Sequence, residues 1–575
     1  MKSVSSDASS REEIGDFNAI LQEVGPRGWF QLKNIVLLWS SSAALGLSAL
    51  LFAFVAFVPK YRCPVTECSE GPGSPYYGNQ ENQTLPNFLL DAFDPENIGD
   101  NIAKCKQYKF LDESDPLSCF DYVERLQSNL SEANLTYCAK EDLIIDRTYA
   151  QTTLTVDFGF VCEYEFLRDF YNATYMVGML FGAFIFGIVS DRWGRLNALL
   201  SAAAMLFVCG ILAAFVTIPE LYGMLRFLIG MAGIGSYMSG YLLGLESTTP
   251  KYSVQVGMAL SLGFVWGALL LSLIVFLIRD WTTLHIVATA PISLMIFLKW
   301  LVPESPRWLI AKGRISEAKV IINSIADFNG RPHPNHLYRV EQKKKAKSFE
   351  IGEEGETLTI GVLVKSKTLF FRTAALSMQW ASVTMAYYGI TFALTSFAGD
   401  PYLNFVLGIL SEIPSTAYVF FTLDFFGRRF MTVKLQILAG ISCILAGFCM
   451  EYEQFRSFQI VFAMIGKFSA TCLFAVVYLY SAELYPTAIR NRAMGICSTV
   501  ARLGGLLALL LGALRSFWPP FPLLIMGGIA TLAGLVALTL PETTGIPLPE
   551  TKQDAVAIRK RGGNFKLFGC NNGHD

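Results

Sequence analysis

Apolar runs of bilayer-spanning length recur along the chain, near 34–58, 172–190, 197–218, 221–245, 256–278, 283–302, 370–395, 403–423, 431–450, 457–482, 493–514 and 522–541. A hydrocarbon core needs about 20 apolar residues in a helix to cross it, so each run predicts a transmembrane helix. The intervening polar stretches alternate in character. Arg192 and Arg195, Lys251, Lys343–Lys345, Arg428 and Arg429, and Arg490 and Arg492 all fall on one side. The opposite stretches are short or carry cysteines and glycosylation sequons. Basic loops stay in the cytoplasm, which predicts a cytoplasmic location for both termini. The expected fold is an all-α membrane protein with twelve transmembrane helices in two six-helix halves.

The expected divisions are a cytoplasmic N-terminus (1–33), a first half (34–302), a cytoplasmic loop (303–366), a second half (367–541) and a cytoplasmic tail (542–575). Within the first half, a large extracellular loop (59–168) separates the first two helices. The opening MKSVSSDASSREEIGDFNAI is largely polar and lacks the short apolar core of a cleavable signal. The run Asn34–Val58 is therefore expected to act as its own targeting signal. In the cytoplasmic loop, Ile315, Ala318, Ile321, Ile322 and Ile325 recur at helical spacing, and Asn329-Gly330 can end that helix. The run KKKAKSFEIGEEGE (343–356) reads as a solvated face or flexible link.

Composition agrees with the pattern. Of 575 residues, 53% are hydrophobic and 16% charged, and the mean hydropathy is +0.41; soluble domains carry about 25% charged residues. A net charge of −1 makes nucleic acid an unsuitable partner. Cys63, Cys68, Cys105, Cys119, Cys138 and Cys162 all lie in the 59–168 loop, with sequons at Asn82, Asn129 and Asn134. Cysteine clustering and sequons independently predict an oxidising, extracellular compartment with disulfides, and the sequence does not choose among the pairings.

Two charged knots break the apolar pattern: GIVSDRWGRL (187–196) after the second run and TLDFFGRRF (422–430) after the eighth. Matching punctuation in matching places implies an internal duplication. Transporters built from such repeats bind substrate between the halves and rock one half against the other. Asp191, Arg192, Arg195, Asp424 and Arg428 are thus candidates for a moving cytoplasmic joint. His285, His333, His336 and His574 form no plausible metal or triad set, and no GxxxxGK[ST] loop is present. An enzyme is not expected, nor is transport driven by nucleotide hydrolysis.

GIVSDRWGRL and TLDFFGRRF resemble the loop signature of the major facilitator superfamily. PESPRWL (303–309), SAELYPTAIRNRAMGICSTVARLGG (481–505), LPETTGIPLPET (540–551), YYGI (387–390), SEIP (411–414) and DFGFVC (157–162) narrow the likeness. Together with the cysteine-bearing first loop, they resemble the organic ion transporters of solute carrier family 22 over nearly the whole chain. The resemblance implies the major facilitator fold and transport of small organic cations, anions or carnitine-like zwitterions across the plasma membrane. It also implies a cytoplasmic latch of Asp191, Arg195, Asp424, Arg428, Glu483 and Arg490. The family pairs an acid and a base seven apart after its fourth span. Here Ser253 follows Glu246 at that distance, and Lys251 is the nearest cation.

Ionisable groups in apolar runs cost about 2.5–3.5 kcal/mol each at a helix centre, which singles out several residues. Arg226 matches the superfamily's fourth-span arginine, with a structural or proton-linked role. Arg502 stands where the family's cation transporters typically carry Asp and its anion and carnitine transporters Arg. A guanidinium facing the cavity would attract a carboxylate, unless it pairs structurally with Glu412. Lys467, Tyr237, Trp380, Tyr387, Tyr388, Phe474 and Tyr478 are candidate cavity residues, the aromatics offering apolar area and ring faces. No cofactor is expected beyond a coupling species: Na+, H+ or a counter-transported organic anion. The lipid bilayer is an expected partner, and a homo-oligomer through the large loop is compatible with the sequence. Organic cation carriage, sugar carriage and a non-transporting receptor or scaffold role remain as alternatives.

Overall fold

The computed structural model describes residues 12–14, 17–64, 105–110, 133–137, 142–249, 252–334, 338–340, 365–394, 400–546 and 552–561, with a few single positions besides. Cys68, Cys119, Cys138, Asn82, Asn129, Lys251 and Lys343–Lys345 lie outside the described residues, and so does the side chain of Asn134.

The first half contains α1 (Trp29–Leu50, running on through Phe52–Val55), α2 (Glu165–Trp193), α3 (Arg195–Ala213), α4 (Pro219–Glu246) and α5 (Ser253–Leu277). It closes with α6, which starts as Trp281–Thr289 and continues as the 3-10 turn Ala290–Phe297 into Leu298–Leu301. The second half contains α7 (Lys367–Ala393), α8 (Pro401–Leu410 and Glu412–Phe426), α9 (Arg428–Glu451), α10 (Arg456–Leu484), α11 (Thr487–Gly512) and α12 (Phe521–Ala537). The interruptions have local causes. Pro291 and Pro414 cannot donate the backbone hydrogen bond that a continuous helix requires.

Ten of these helices are long and apolar enough to cross a membrane. The two others are α7 and α12. α12 is 17 residues long. α7 has the length but buries Gln379, Ser382, Thr384 and Thr391, which lower its apolarity. Several helices start or end a few residues beyond the apolar runs; at the α2–α3 and α8–α9 junctions the charged residues of the knots are themselves helical. Large apolar side chains such as Phe184, Phe215, Trp300, Phe371, Phe421 and Phe425 face outward and exposed, as a helix bundle bathed in lipid requires.

Among the described residues, three short antiparallel strand pairs lie outside the helices, so the chain is not wholly α. Tyr61–Arg62 pairs with Ile144–Ile145, Lys106–Phe110 with Ala133–Tyr137, and Glu12–Ile14 with Tyr338–Val340. A disulfide joins Cys105 to Cys162 with Cα atoms 5.6 Å apart, and Cys63 is also disulfide-bonded. Cys63 and Cys105 are buried with Tyr61, Leu143 and Val161. The end of the bundle carrying this segment is called the loop end below; the end carrying residues 303–366 is the insert end.

At the insert end, Ser305 caps the helix Pro306–Ala311 through the Trp308 N–H at 3.1 Å. The helix Ile315–Phe328 follows and buries Ile322, Ile325 and Ala326 against Ile20, Leu21 and Val24 of the helix Phe17–Glu23. Asn329 fastens the two, donating to the Val24 carbonyl at 2.9 Å and accepting from the Phe30 N–H at 3.0 Å.

Candidate functional site

The charged knots form two matching clusters at the insert end. Gly194 and Gly427 sit at positive φ, +107° and +86°, and turn α2 into α3 and α8 into α9 without a loop. Arg195 reaches Asp191 at 2.6 Å and Glu246 at 3.1 Å. Arg428 reaches Asp424 at 2.8 Å and Glu483 at 3.2 Å. In each half a hydroxyl donates to the second acid: Ser305 to Glu246, and Thr543 to Glu483 at 2.5 Å.

A third carboxylate completes each cluster. Glu304 accepts from the N–H groups of Arg195 at 3.0 Å and Leu196 at 3.2 Å; Glu542 accepts from Arg428 at 2.9 Å and Arg429 at 3.0 Å. Each caps the first turn of the helix after the knot, where free N–H groups and the helix dipole favour negative charge. Burial pushes the Glu304 carboxyl above its ordinary value, opposed by the N–H groups of Ser305, Leu196 and Arg195 and by the Arg195 charge. Glu304 and Glu542 had no expected role. The available signal was the repeat itself: Pro-Glu-Ser after the sixth apolar run and Pro-Glu-Thr after the twelfth.

The expected single latch is therefore two clusters, each built within one half. Its membership also changes. Glu246 pairs with Arg195 although no base follows it seven residues on. Glu483 pairs with Arg428, while Arg490 donates to the Tyr485 carbonyl at 3.3 Å. α10 ends at Leu484 and Pro486 turns the chain, so Glu483 and Arg490 do not share a helix face. Arg192 is exposed. Arg226 lies toward the loop end inside the first half, away from both clusters, because α4 carries it near its opposite terminus from Glu246.

Between the halves, aromatic residues gather around Arg502 of α11. It is in electrostatic contact with Tyr388 of α7, Tyr478 of α10 and Tyr237 of α4, so both halves contribute. Arg502 is half-buried; Nη1 donates to the Ser498 carbonyl and hydroxyl at 2.7 and 2.5 Å, and Nε has no protein partner. No carboxylate pairs with it among the described residues. Trp380 lies 5.4 Å from Tyr478 between ring centroids, and Tyr387 lies 5.2 Å from Tyr388 and 5.6 Å from Phe474. Phe264 of α5 reaches Tyr387 from the other half, at 6.5 Å.

Lys467 stands apart from Arg502. It is fully buried, 3.0 Å from Glu412 and 2.6 Å from the Thr391 hydroxyl, under the Tyr387 ring at 3.2 Å. Tyr387 donates to Glu412 at 2.7 Å. Glu412 is thus committed to Lys467 and Tyr387, and does not compensate Arg502. At the loop end the halves touch directly. Phe54 packs on Phe405 at 4.7 Å, Tyr402 donates to the Tyr149 carbonyl, and Gly512 of α11 comes against Asp169 of α2.

Comparison with known proteins agrees with this architecture. The family model for sugar (and other) transporters matches residues 159–555. Solute carrier family 22 member 1 of Oryctolagus cuniculus is 30% identical, covering 94% of this chain and 95% of that protein. The organic cation transporter protein of Drosophila melanogaster is 29% identical over 97% and 99% of the two chains. The human organic cation/carnitine transporter 2 is 28% identical over 95% and 94%. Among solved structures, the inward-open E. coli xylose transporter XylE superimposes with a TM-score of 0.58 at 15% identity, covering 92% of this chain and 99% of that one. That likeness concerns the fold alone. The chain belongs to solute carrier family 22, within the wider family of sugar and other transporters. It is a membrane transporter and not an enzyme.

Proposed function

We propose that α1–α12 all cross the plasma membrane, with both termini and the insert in the cytoplasm and the 59–168 segment outside. The protein carries small organic ions by alternating access and favours organic anions or carnitine-like zwitterions. The observation that carries this preference is Arg502. A half-buried guanidinium with no carboxylate beside it among the described residues, ringed by tyrosines from both halves, suits a substrate carboxylate. The aromatic rings around it supply apolar area for the rest of the ligand.

Contact between the halves at the loop end, with ion clusters confined to each half at the insert end, fits a state closed to the outside and open toward the cytoplasm. Outward opening would part Phe54 from Phe405 and Tyr402 from Tyr149. Substrate binding between the halves and rearrangement of both ends would complete the cycle. The driving species is Na+, H+ or a counter-transported organic anion.

The test is uptake of p-aminohippurate, carnitine and tetraethylammonium, with and without sodium, in cells expressing wild type or Arg502→Asp at matched surface levels. Wild-type uptake of the anion or carnitine, lost in the variant, is the expected result. Anion uptake unchanged by Arg502→Asp overturns the charge assignment. A second reading, organic cation carriage, is favoured by the Drosophila relative described as an organic cation transporter. Uptake of tetraethylammonium alone would support it, with the cation held over rings such as Trp380 and Tyr478.

A further inference from the structure

We infer that the first half holds a buried site for a halide-sized monovalent anion, enclosed by α1, α2, α3, α4 and α6 and separate from the space around Arg502. Arg226 is only 1% exposed. Its Nη1 donates to the Ser48 carbonyl at 3.3 Å and its Nη2 to Asn172 Oδ1 at 3.1 Å. The rings of Phe52 and Tyr175 flank the guanidinium at 4.8 and 4.6 Å. Nε has no partner. Among the described residues no carboxylate compensates the charge; the ionisable groups in electrostatic contact with it are Tyr222, Tyr175 and His285. Lys467, equally buried in the second half, has Glu412 at 3.0 Å.

Two more unmet polar groups converge here. His285 of α6 is 2% exposed, and neither ring nitrogen makes a well-formed hydrogen bond, although its own carbonyl and that of Gly210 lie within weak reach. Tyr222 of α4 is 1% exposed, its hydroxyl has no partner, and its ring centroid is 6.3 Å from that of His285. A small cavity, on the scale of one water molecule or one monatomic ion, opens among Ser48, Leu206, Gly210, Arg226, His285 and Thr289.

The inventory of groups decides the occupant. Arg226 Nε–H, the Tyr222 hydroxyl and one imidazole N–H of His285 can all donate. A bound water satisfies donors but leaves the charge. Bare aromatic faces soften the charge but leave the donors. A small anion answers both, and in a low-dielectric interior an uncompensated cation is the costlier defect. The inference does not rest on the substrate assigned above.

The test uses the full-length protein in lipid nanodiscs, with thermal unfolding followed as chloride or bromide replaces gluconate at constant ionic strength. Wild type is expected to gain stability saturably with chloride and bromide. Tyr222→Phe removes one hydroxyl and His285→Leu one ring donor. Each should raise the half-saturating halide concentration about tenfold or more, the loss expected for one hydrogen bond to a charged group. Arg502→Gln should leave the halide response unchanged. Absence of any halide-specific stabilisation in wild type overturns the inference. So does a response abolished by Arg502→Gln and kept by both first-half variants. Failure of one first-half variant to fold leaves the other to decide, and Tyr222→Phe changes a single atom.

Discussion

Lys467 and Glu412 form a buried pair whose energetics can be worked through. At 3.0 Å, two unit charges attract by about 5–6 kcal/mol at an effective dielectric near 20. Desolvation of both groups offsets much of this, so the pair contributes little net stability, whereas removal of one member leaves a buried charge and costs about 3–5 kcal/mol. Lys467→Met strands Glu412, still accepting from Tyr387; Glu412→Gln strands Lys467 against the Tyr387 ring and Thr391. Each single variant should therefore lower the apparent melting temperature of the purified transporter by about 6–20 °C, at about 2–4 °C per kcal/mol for a unit of 150–250 residues. The double variant Lys467→Met with Glu412→Gln should recover most of that loss. Its coupling energy should be on the order of 3 kcal/mol, as measured by a double-mutant cycle. Melting curves in nanodiscs, followed by tryptophan fluorescence, supply the numbers. Singles that cost less than about 1 kcal/mol, or a double variant that costs the sum of the singles, would refute the reasoning; effects of several kcal/mol are expected only for a disrupted buried network. Loss of uptake by Lys467→Met at unchanged stability would return Lys467 to the substrate site.

Two other predictions concern the caps at either end of the bundle. Glu304→Ala and Glu542→Ala should each destabilise by about 1–3 kcal/mol for each N–H group left without an acceptor, and by similar amounts because the two sites match. A melting shift in one variant and none in the other would refute the equivalence. At the loop end, Asp280 starts α6 and accepts from Thr152 at 2.5 Å, Thr282 at 2.6 Å and the Thr283 N–H at 2.8 Å. Burial raises this carboxyl, but those hydrogen bonds outweigh it and hold the group well below the usual carboxylate range. Its contribution is thus present above the ordinary carboxylate pKa and is lost as pH falls below that value. A melting series from neutral pH into this acid range should show a loss in wild type that Asp280→Asn lacks.

Local pattern alone located the apolar segments and the duplication marked by two charged knots. It also assigned six of the twelve cysteines to one polar segment and made Arg502 stand out in an apolar run. These features are local: helical periodicity and the cost of a charge among apolar residues act within one segment. Partner choice was not local. Glu304 and Glu542 cap helices that begin 109 and 114 residues earlier, and only the returning chain brings a carboxylate to those N–H groups. The resemblance put Glu483 and Arg490 in one latch, but the chain turns at Pro486 and Glu483 pairs with Arg428 instead. Lys467, Arg226 and Arg502 read alike in sequence as single bases in apolar runs. Packing separated them. One met Glu412 across a helix interface, one was enclosed with no acid beside it among the described residues, and one was left half-buried among tyrosines of both halves, because electrostatic compensation depends on distances of a few ångströms between segments that sequence order does not fix.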